Sequence, residues 1–169
     1  MVDTEVPKNQ LLCLGLNYRT TPVEVRERVA FPEARVAEAV QQVQTLKGFE
    51  ESVVLSTCNR VEIYSTHTHE QAKAAHEELI TYLVNRFELA PDQAEALVTY
   101  KLDAAEAARH LFRVVSGLDS MVLGETEIFG QVKAAYQLAL NTGTTGRTLN
   151  KLFQQAFSVG KKVRNETNI

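Results

Sequence analysis

Two β-rich runs in this chain are separated by only three residues. The first, 52–57, carries Val53-Val54-Leu55, a short apolar run suited to a buried strand. The second, 61–66, alternates: Val61, Ile63 and Ser65 share one face, and Glu62, Tyr64 and Thr66 share the other. Cys58-Asn59-Arg60 is all that joins them. A link that short closes an antiparallel hairpin and forbids a parallel crossover, which needs roughly a dozen residues. Asn tolerates the positive φ that such a bend can require. Cys58 therefore belongs at the rim of a sheet and not in its middle.

The rest of the chain arranges itself around that hairpin. A strand is expected over 11–16, closed by Gly15, Asn17 and a polar turn. Thr21-Pro22 opens a helical stretch, and Pro32 a stronger helix with Val36, Val40 and Val43 at helical spacing and Gly48 as its stop. Residues 70–87 repeat the helical pattern through Ala72, Ala75, Leu79, Leu83 and Phe87. After Pro91 come a short helix (92–96) and a strand (97–102). The order β-α-β-β-α-β is the ferredoxin-like split βαβ arrangement, so the fold class expected is α/β of the α+β kind. The remainder reads as a C-terminal group of helices. Asp103 with Glu106 resembles a capping box opening 104–116, ended by Gly117. Helices over 126–140 and 147–164 follow, the last with Leu149, Phe153, Ala156, Gly160 and Val163 as its inner stripe. That stripe runs almost to Ile169 with no C-terminal cap, the pattern of a helix that continues. The expected division is a flexible tail at 1–10, a domain over 11–146, and the start of a long linker helix over 147–169.

Composition narrows the function classes. With 44% hydrophobic and 23% charged residues the chain buries a core and is not disordered. No apolar run approaches the ~18 residues that span a bilayer, and the polar first ten residues contain no secretory apolar core. Two cysteines, Cys13 and Cys58, make no disulfide framework and suit a reducing cytoplasm. Charge is uneven: residues 1–130 hold 12 Lys and Arg against 20 Asp and Glu, whereas 131–169 hold 6 against Glu166 alone. A basic end can meet a polyanion, with Lys151, Lys161, Lys162 and Arg164 as phosphate contacts, or it can be a solvated face suited to the negative end of a helix dipole.

No two glycines stand two positions apart, and no phosphate-binding loop, nucleophile elbow or Cys-x-x-Cys occurs, so a nicotinamide-binding unit is not expected on these residues. Cys58 is the sharpest positive feature. A thiolate is a strong nucleophile, and Arg60, two residues on, can favour it or hold an anionic substrate group. Cys13, among leucines, reads as core. His110 stands one turn after Glu106 at the border of its helix's apolar stripe, open to a surface or an acid–base role. His67 and His69 share a face but lack a third metal ligand, and His76 reads as a solvated helix position. Between two helices, Gly117-Leu118-Asp119-Ser120-Met121-Val122-Leu123-Gly124-Glu125-Thr126-Glu127 places polar groups at a helix start. That segment can bind an anion through free backbone N–H groups, bind an ammonium through its carboxylates, or simply complement the helix dipole.

Together these residues resemble the N-terminal catalytic domain of the glutamyl-tRNA reductases. The resemblance is carried by Gly15-Leu16-Asn17-Tyr18-Arg19-Thr20-Thr21-Pro22-Val23, Ser56-Thr57-Cys58-Asn59-Arg60-Val61-Glu62-Ile63-Tyr64, and His110-Leu111-Phe112-Arg113-Val114-Val115-Ser116-Gly117-Leu118-Asp119-Ser120. Gly124-Glu125 and Gly130-Gln131-Val132-Lys133 extend it. It implies that Cys58 attacks the ester of glutamyl-tRNA(Glu) to give a glutamyl thioester, which the full enzyme reduces with NADPH to glutamate-1-semialdehyde for porphyrin and other tetrapyrrole synthesis through 5-aminolevulinate. It implies catalytic roles for Cys58 and His110, the latter as proton donor to the leaving ribose oxygen. It implies a glutamate site built from Thr57, Asn59, Arg60, Ser120, Glu125, Thr126, Glu127 and Gln131, with Arg60 on the substrate's side-chain carboxylate and the acidic pair on its ammonium. The family often has Gln where Glu127 stands. By the same resemblance, NADPH binds in a domain beyond this chain and needs no metal, and a further C-terminal domain makes the homodimer. Glutamate-1-semialdehyde aminomutase is a candidate partner, and the setting is a bacterial cytoplasm or a plastid. The fragment alone is then at most an esterase. The competing expectation is a non-catalytic ferredoxin-like module that binds RNA or protein.

Overall fold

The short link closes the expected hairpin. In the computed structural model, which describes residues 9–167, β2 (Phe49–Ser56) and β3 (Arg60–His67) pair antiparallel from Ser56 opposite Val61 to Phe49 opposite His67, with a bulge between Phe49 and Glu51. On the far side of β3 lies β1 (Gln10–Asn17), also antiparallel, and β4 (Tyr100–Asp103) flanks β1. The sheet order is β2-β3-β1-β4. β1 and β2 thus run parallel with β3 between them, the split βαβ arrangement that the element order predicts. β4 is shorter than expected: α4 (Pro91–Leu97) takes Leu97, Val98 caps that helix, and the strand begins only at Tyr100. Of the tail expected at 1–10, all but Asn9 and Gln10 lies outside the described residues, and Gln10 already pairs with His67.

The remaining helices are α1 (Val23–Arg28), α2 (Val36–Gln44) after a single 3-10 turn, α3 (Ala72–Phe87), α5 (Ala105–Val115), α6 (Glu127–Thr142) and α7 (Arg147–Glu166). They cover both faces of the sheet, and all eight residues of β3 are buried. On one face Leu14, Leu16, Val61 and Ile63 pack toward Leu83 and Phe87 of α3 and Leu97 at the end of α4. On the other, the Tyr64 ring stands edge-on to Phe153 of α7, centroids 5.6 Å apart, and Phe153 stacks on Tyr136 of α6 at 5.3 Å. Such aromatic pairs add about 0.5–1.5 kcal/mol each beyond their area burial. The stripe Leu149, Phe153, Ala156 and Phe157 is buried, so the expected linker helix is a wall of this fold. No helix among the described residues is long and apolar enough to cross a membrane.

Three local expectations change. His76, expected in solvent, is buried, and its Nε2 lies 2.8 Å from Asp103 Oδ1. Asp103 therefore does not cap α5; Ala104 occupies that N-cap with φ +49°, and the capping box does not form. Gly48, expected to end α2, stands four residues past its last residue, Gln44, where φ +80° turns the chain into β2.

Candidate active site at the hairpin apex

The apex is organised by its own first side chain. Thr57 Oγ1 accepts the N–H groups of Asn59 and Arg60, both at 3.2 Å, while Thr57 N–H donates to the Arg60 carbonyl at 2.8 Å. The Asn59 carbonyl accepts Tyr18 N–H at 2.8 Å, and the Cys58 carbonyl accepts Arg26 Nε–H at 3.2 Å. With its backbone held by the turn after β1 and by α1, the apex presents Cys58 exposed to solvent, whereas Cys13 is buried as expected. Burial pushes the Cys13 thiol well up, which removes it as a rival nucleophile.

Arg60 is not the free anion receptor that its position suggested. It is buried, with Nη1 donating to Asp119 Oδ2 at 2.9 Å and to Glu62 Oε2 at 3.3 Å, and Nη2 donating to the Asp119 carbonyl at 2.8 Å. Glu62 is the hub beneath it. Its Oε1 accepts Tyr64 O–H, and its Oε2 is approached by Arg60, Tyr100 O–H and His110 Nε2. Burial raises the Glu62 carboxyl, but the hydrogen bond and charge of His110, the Arg60 guanidinium and Tyr100 outweigh it and bring it down to about 2. Arg60 is correspondingly held above its ordinary range: burial lowers it, and Glu62, Tyr100 and Asp119 raise it by more. The His110 ring also packs against Tyr100, centroids 5.0 Å apart. Tyr100 reaches this hub because Gly15 leaves it room; a Cβ there would lie 2.7 Å from the ring.

Asp119 links the apex to the loop between α5 and α6. Gly117 and Gly124 stand at φ +77° and +78°, the left-handed conformation that glycine adopts without strain, and Gly124 N–H closes on the Gly117 carbonyl at 3.0 Å. Within the loop Ser120 Oγ donates to Glu125 Oε1 at 3.4 Å. The Glu125 carboxylate caps α6, accepting the N–H groups of Glu127 (2.8 Å) and Ile128 (3.1 Å). Gln131 of α6 and Thr57 line one cavity of about 300 Å3, walled by Phe31, Val36, Leu55 and Leu138. Thr57, Asn59 and Arg60 thus share the turn with Cys58, Asp119 ties the loop carrying Ser120 and Glu125 to Arg60, Gln131 shares a cavity with Thr57, and His110 shares Glu62 with Arg60. Thr126 and Glu127 are exposed, and their side chains make no hydrogen bond among the described residues.

Sequence reasoning passed over Asp119, Glu62 and Tyr100. For Glu62 the signal was present, since residues two apart on a strand share a face and Arg60 needs an anion when buried. Asp119, 59 residues away, had no such local signal. Arg164, expected on a phosphate, turns inward instead and donates to three backbone carbonyls.

Cys13, Glu62 and His110 offer donor atoms within 4.8 Å of one another, a spacing compatible with a metal ion. Both Glu62 oxygens already accept hydrogen bonds and Arg60 supplies the positive charge, so a cation enters only by breaking that hub. His67 is buried with both ring nitrogens unpartnered among the described residues, and His69 Nε2 lies 2.8 Å from the Lys47 carbonyl. His67 is the last residue of β3, opposite the apex, and His69 lies two residues beyond it.

Comparison with known proteins places this geometry. The family model described as the N-terminal domain of glutamyl-tRNA(Glu) reductase matches residues 14–167. The glutamyl-tRNA reductase of Akkermansia muciniphila is 49% identical over 160 residues, covering 95% of this chain and 46% of that protein. That of Geobacillus thermodenitrificans is 46% identical over 162 residues, covering 95% and 34%. Among solved structures, the glutamyl-tRNA reductase from Methanopyrus kandleri superposes with a TM-score of 0.71 at 33% identity, over 93% of this chain and 35% of that one. The chain spans between about a third and a half of the length of these relatives. With the matched region including both the apex and the loop that Asp119 ties to it, the chain belongs to the glutamyl-tRNA reductase N-terminal domain family.

Proposed function

We propose that this chain performs the acyl-transfer half of glutamyl-tRNA reduction. The Cys58 thiolate attacks the carbonyl carbon of the ester joining glutamate to the terminal ribose of tRNA(Glu). The C–S bond forms, the C–O bond to ribose breaks, and the ribose oxygen takes a proton as it leaves as a hydroxyl. The observation that carries this reading is the exposed Cys58 on a turn held through the Asn59 and Arg60 N–H groups and the Cys58 and Asn59 carbonyls, with Arg60 reaching from the same turn to the α5–α6 loop. A fixed backbone under a free thiol is what a nucleophile needs for a repeatable approach geometry.

The other residues take parts that their positions allow. Thr57 shapes the turn. Gln131 and Thr57 line the cavity into which the glutamyl group extends, and the Ser120–Glu125 pair offers an acceptor for its ammonium. Thr126 and Glu127, exposed and next in sequence to Glu125, are assigned to the same site, as is Asn59, the neighbour of Cys58. Arg60 binds the substrate carboxylate only by loosening Asp119, which makes substrate entry and loop position interdependent. His110, held by Glu62, protonates the ribose oxygen in this reading.

The described residues do not fit a dinucleotide. Their sheet is wholly antiparallel, and no glycine-rich turn follows a strand into a helix to hold a pyrophosphate. NADPH, homodimerisation and hand-over to glutamate-1-semialdehyde aminomutase in a bacterial cytoplasm belong to this proposal through parts of the relatives that the chain does not span.

Incubation with radiolabelled glutamyl-tRNA(Glu), followed by acid quenching, tests it. Acid-stable label mapping to Cys58, absent from Cys58→Ala, is expected, with slow release of free glutamate that NADPH does not alter. Ester cleavage at an unchanged rate in Cys58→Ala removes the nucleophile assignment. NADPH-dependent semialdehyde from these 169 residues removes the statement about the dinucleotide.

A further inference from the structure

Arg164 lies on the last turns of α7, and its guanidinium holds both stems of the loop that reaches Arg60. Nη2 donates to the Val115 carbonyl at 3.3 Å, at the loop's entrance, and to the Glu125 carbonyl at 2.8 Å, at its exit. Nη1 donates to the Gly124 carbonyl at 3.1 Å. Gly117 is packed so closely here that a Cβ would lie 3.1 Å from Nη2 and 3.0 Å from Gly124 Cα. One turn earlier Gly160 lets α7 touch α5, where a Cβ would lie 2.7 Å from Val115 Cγ1. A planar guanidinium can serve three carbonyls from one side, whereas an ammonium on a flexible stem cannot span them in one plane.

Between the two stems stand the groups that meet the apex: Asp119 on Arg60, and Ser120 on Glu125. We propose that Arg164 is a positioning residue for acyl transfer, clamping the 116–126 loop to α7 so that Asp119 and Glu125 stand in place around Cys58. The position of the C-terminal turns of α7 is thereby transmitted through two links, Arg164 to the loop and Asp119 to Arg60, to the residue two places from the nucleophile. This rests on the reading of Cys58 as an acyl acceptor, but the clamp itself does not.

The experiment compares the unaltered chain with Arg164→Met, which keeps an apolar stem without donors, and Arg164→Lys, which keeps stem and charge. Three quantities are read: amide hydrogen exchange over 116–126, the single-turnover rate of Cys58 acylation by glutamyl-tRNA(Glu), and the rate of Cys58 alkylation by iodoacetamide, which needs the thiol and no loop. In Arg164→Met, loop exchange is expected to rise at least about tenfold and acylation to fall about a hundredfold, the cost of a displacement near 1 Å, with alkylation within twofold. Arg164→Lys is expected to recover part of the acylation. Should Arg164→Met fail to fold, Arg164→Lys carries the comparison, with smaller changes in the same directions. Unchanged loop exchange overturns the clamp, and unchanged acylation with a loosened loop overturns the positioning role. Acylation and alkylation falling in parallel also overturns it, since that marks general disruption. An unaltered chain that takes no label refutes the acyl-transfer proposal, and the exchange measurement then still decides whether Arg164 holds the loop.

Discussion

Asp119 meets Arg60 at two points, its carboxylate 2.9 Å from Nη1 and its own carbonyl 2.8 Å from Nη2. The pair joins β3 to the α5–α6 loop, and Glu62 completes the charge balance from below at 3.3 Å. Removing one partner from such a buried set strands a charge, which costs about 3–5 kcal/mol. Asp119→Ala is therefore expected to lower stability by that much in urea unfolding at pH 7. Asp119→Asn, which keeps both the shape and the backbone contact, is expected to cost roughly half. A loss below ~1 kcal/mol in the alanine variant would show that Glu62 alone satisfies Arg60.

The two cysteines separate by exposure, and so should their chemistry. Iodoacetamide is expected to add one equivalent to the native chain, at Cys58, and to reach Cys13 only after unfolding. Cys58→Ser, on the surface, is expected to leave stability within about 0.5 kcal/mol, whereas Cys13→Ser puts a smaller, more polar hydroxyl in place of a fully buried thiol beside Glu62 and Tyr64 and is expected to cost about 1–3 kcal/mol. Peptide mapping after native alkylation checks the first part. Modification of Cys13 in the native chain at a rate comparable to Cys58 contradicts it.

Glu62 makes stability pH-dependent in a set direction. Its carboxyl is held at about 2 in the fold against an ordinary 4.5, so as pH falls the unfolded chain takes up the proton first. The stability the hub supplies is complete above pH 4.5 and is lost as pH falls through 2. A shift of this size corresponds to about 3 kcal/mol between pH 7 and pH 2. Glu62→Gln is expected to be less stable at pH 7, because Arg60 loses an anion, and to show a flatter decline on acidification. An acid limb identical to that of the unaltered chain would place the sensitive carboxylate elsewhere.

The parts of this fold that were legible in the sequence are those decided within a few residues. Cys58-Asn59-Arg60 is too short for anything but a hairpin, and the 3.6-residue spacing in α2, α3 and α7 survives as buried stripes. What was not legible is what distant groups do to one another. Asp103 has the spacing of a capping box with Glu106, yet His76 on α3 claims its carboxylate. Arg60 and Arg164 look like surface cations ready for anions, and both are turned inward by partners 59 and about 40 residues away. Exposure of Cys58 was readable from the turn around it; the hub formed by Glu62, Tyr100 and His110 needs the register of three strands and the placement of α5.

The start of α7 offers the last and most local test, because the helix begins on a carboxylate that it does not carry. Glu51 of β2 is buried, and its Oε1 accepts the N–H groups of Gly146 at 2.6 Å and Leu149 at 2.9 Å, while Thr66 Oγ1 donates to Oε2 at 3.2 Å. The backbone at Gly146 comes so close that a Cβ there would lie 3.1 Å from the Glu51 carboxyl carbon, which would have to give by a few tenths of an ångström. The negative charge also suits the positive end of the α7 dipole. Glu51→Ala leaves two buried N–H groups unserved and is expected to cost about 2–4 kcal/mol, with Glu51→Gln, which retains an acceptor, at about 1 kcal/mol. Faster hydrogen exchange at Leu149 should accompany the loss. Arg164 lies 18 residues further along, about 27 Å away by helical rise, and Phe153 and Gly160 dock the helix in between. The acylation rate of Cys58 in Glu51→Gln is therefore expected to stay within twofold of the unaltered chain. A larger fall would mean that α7 moves as one rigid rod from Glu51 to the loop and is not held independently at its two ends.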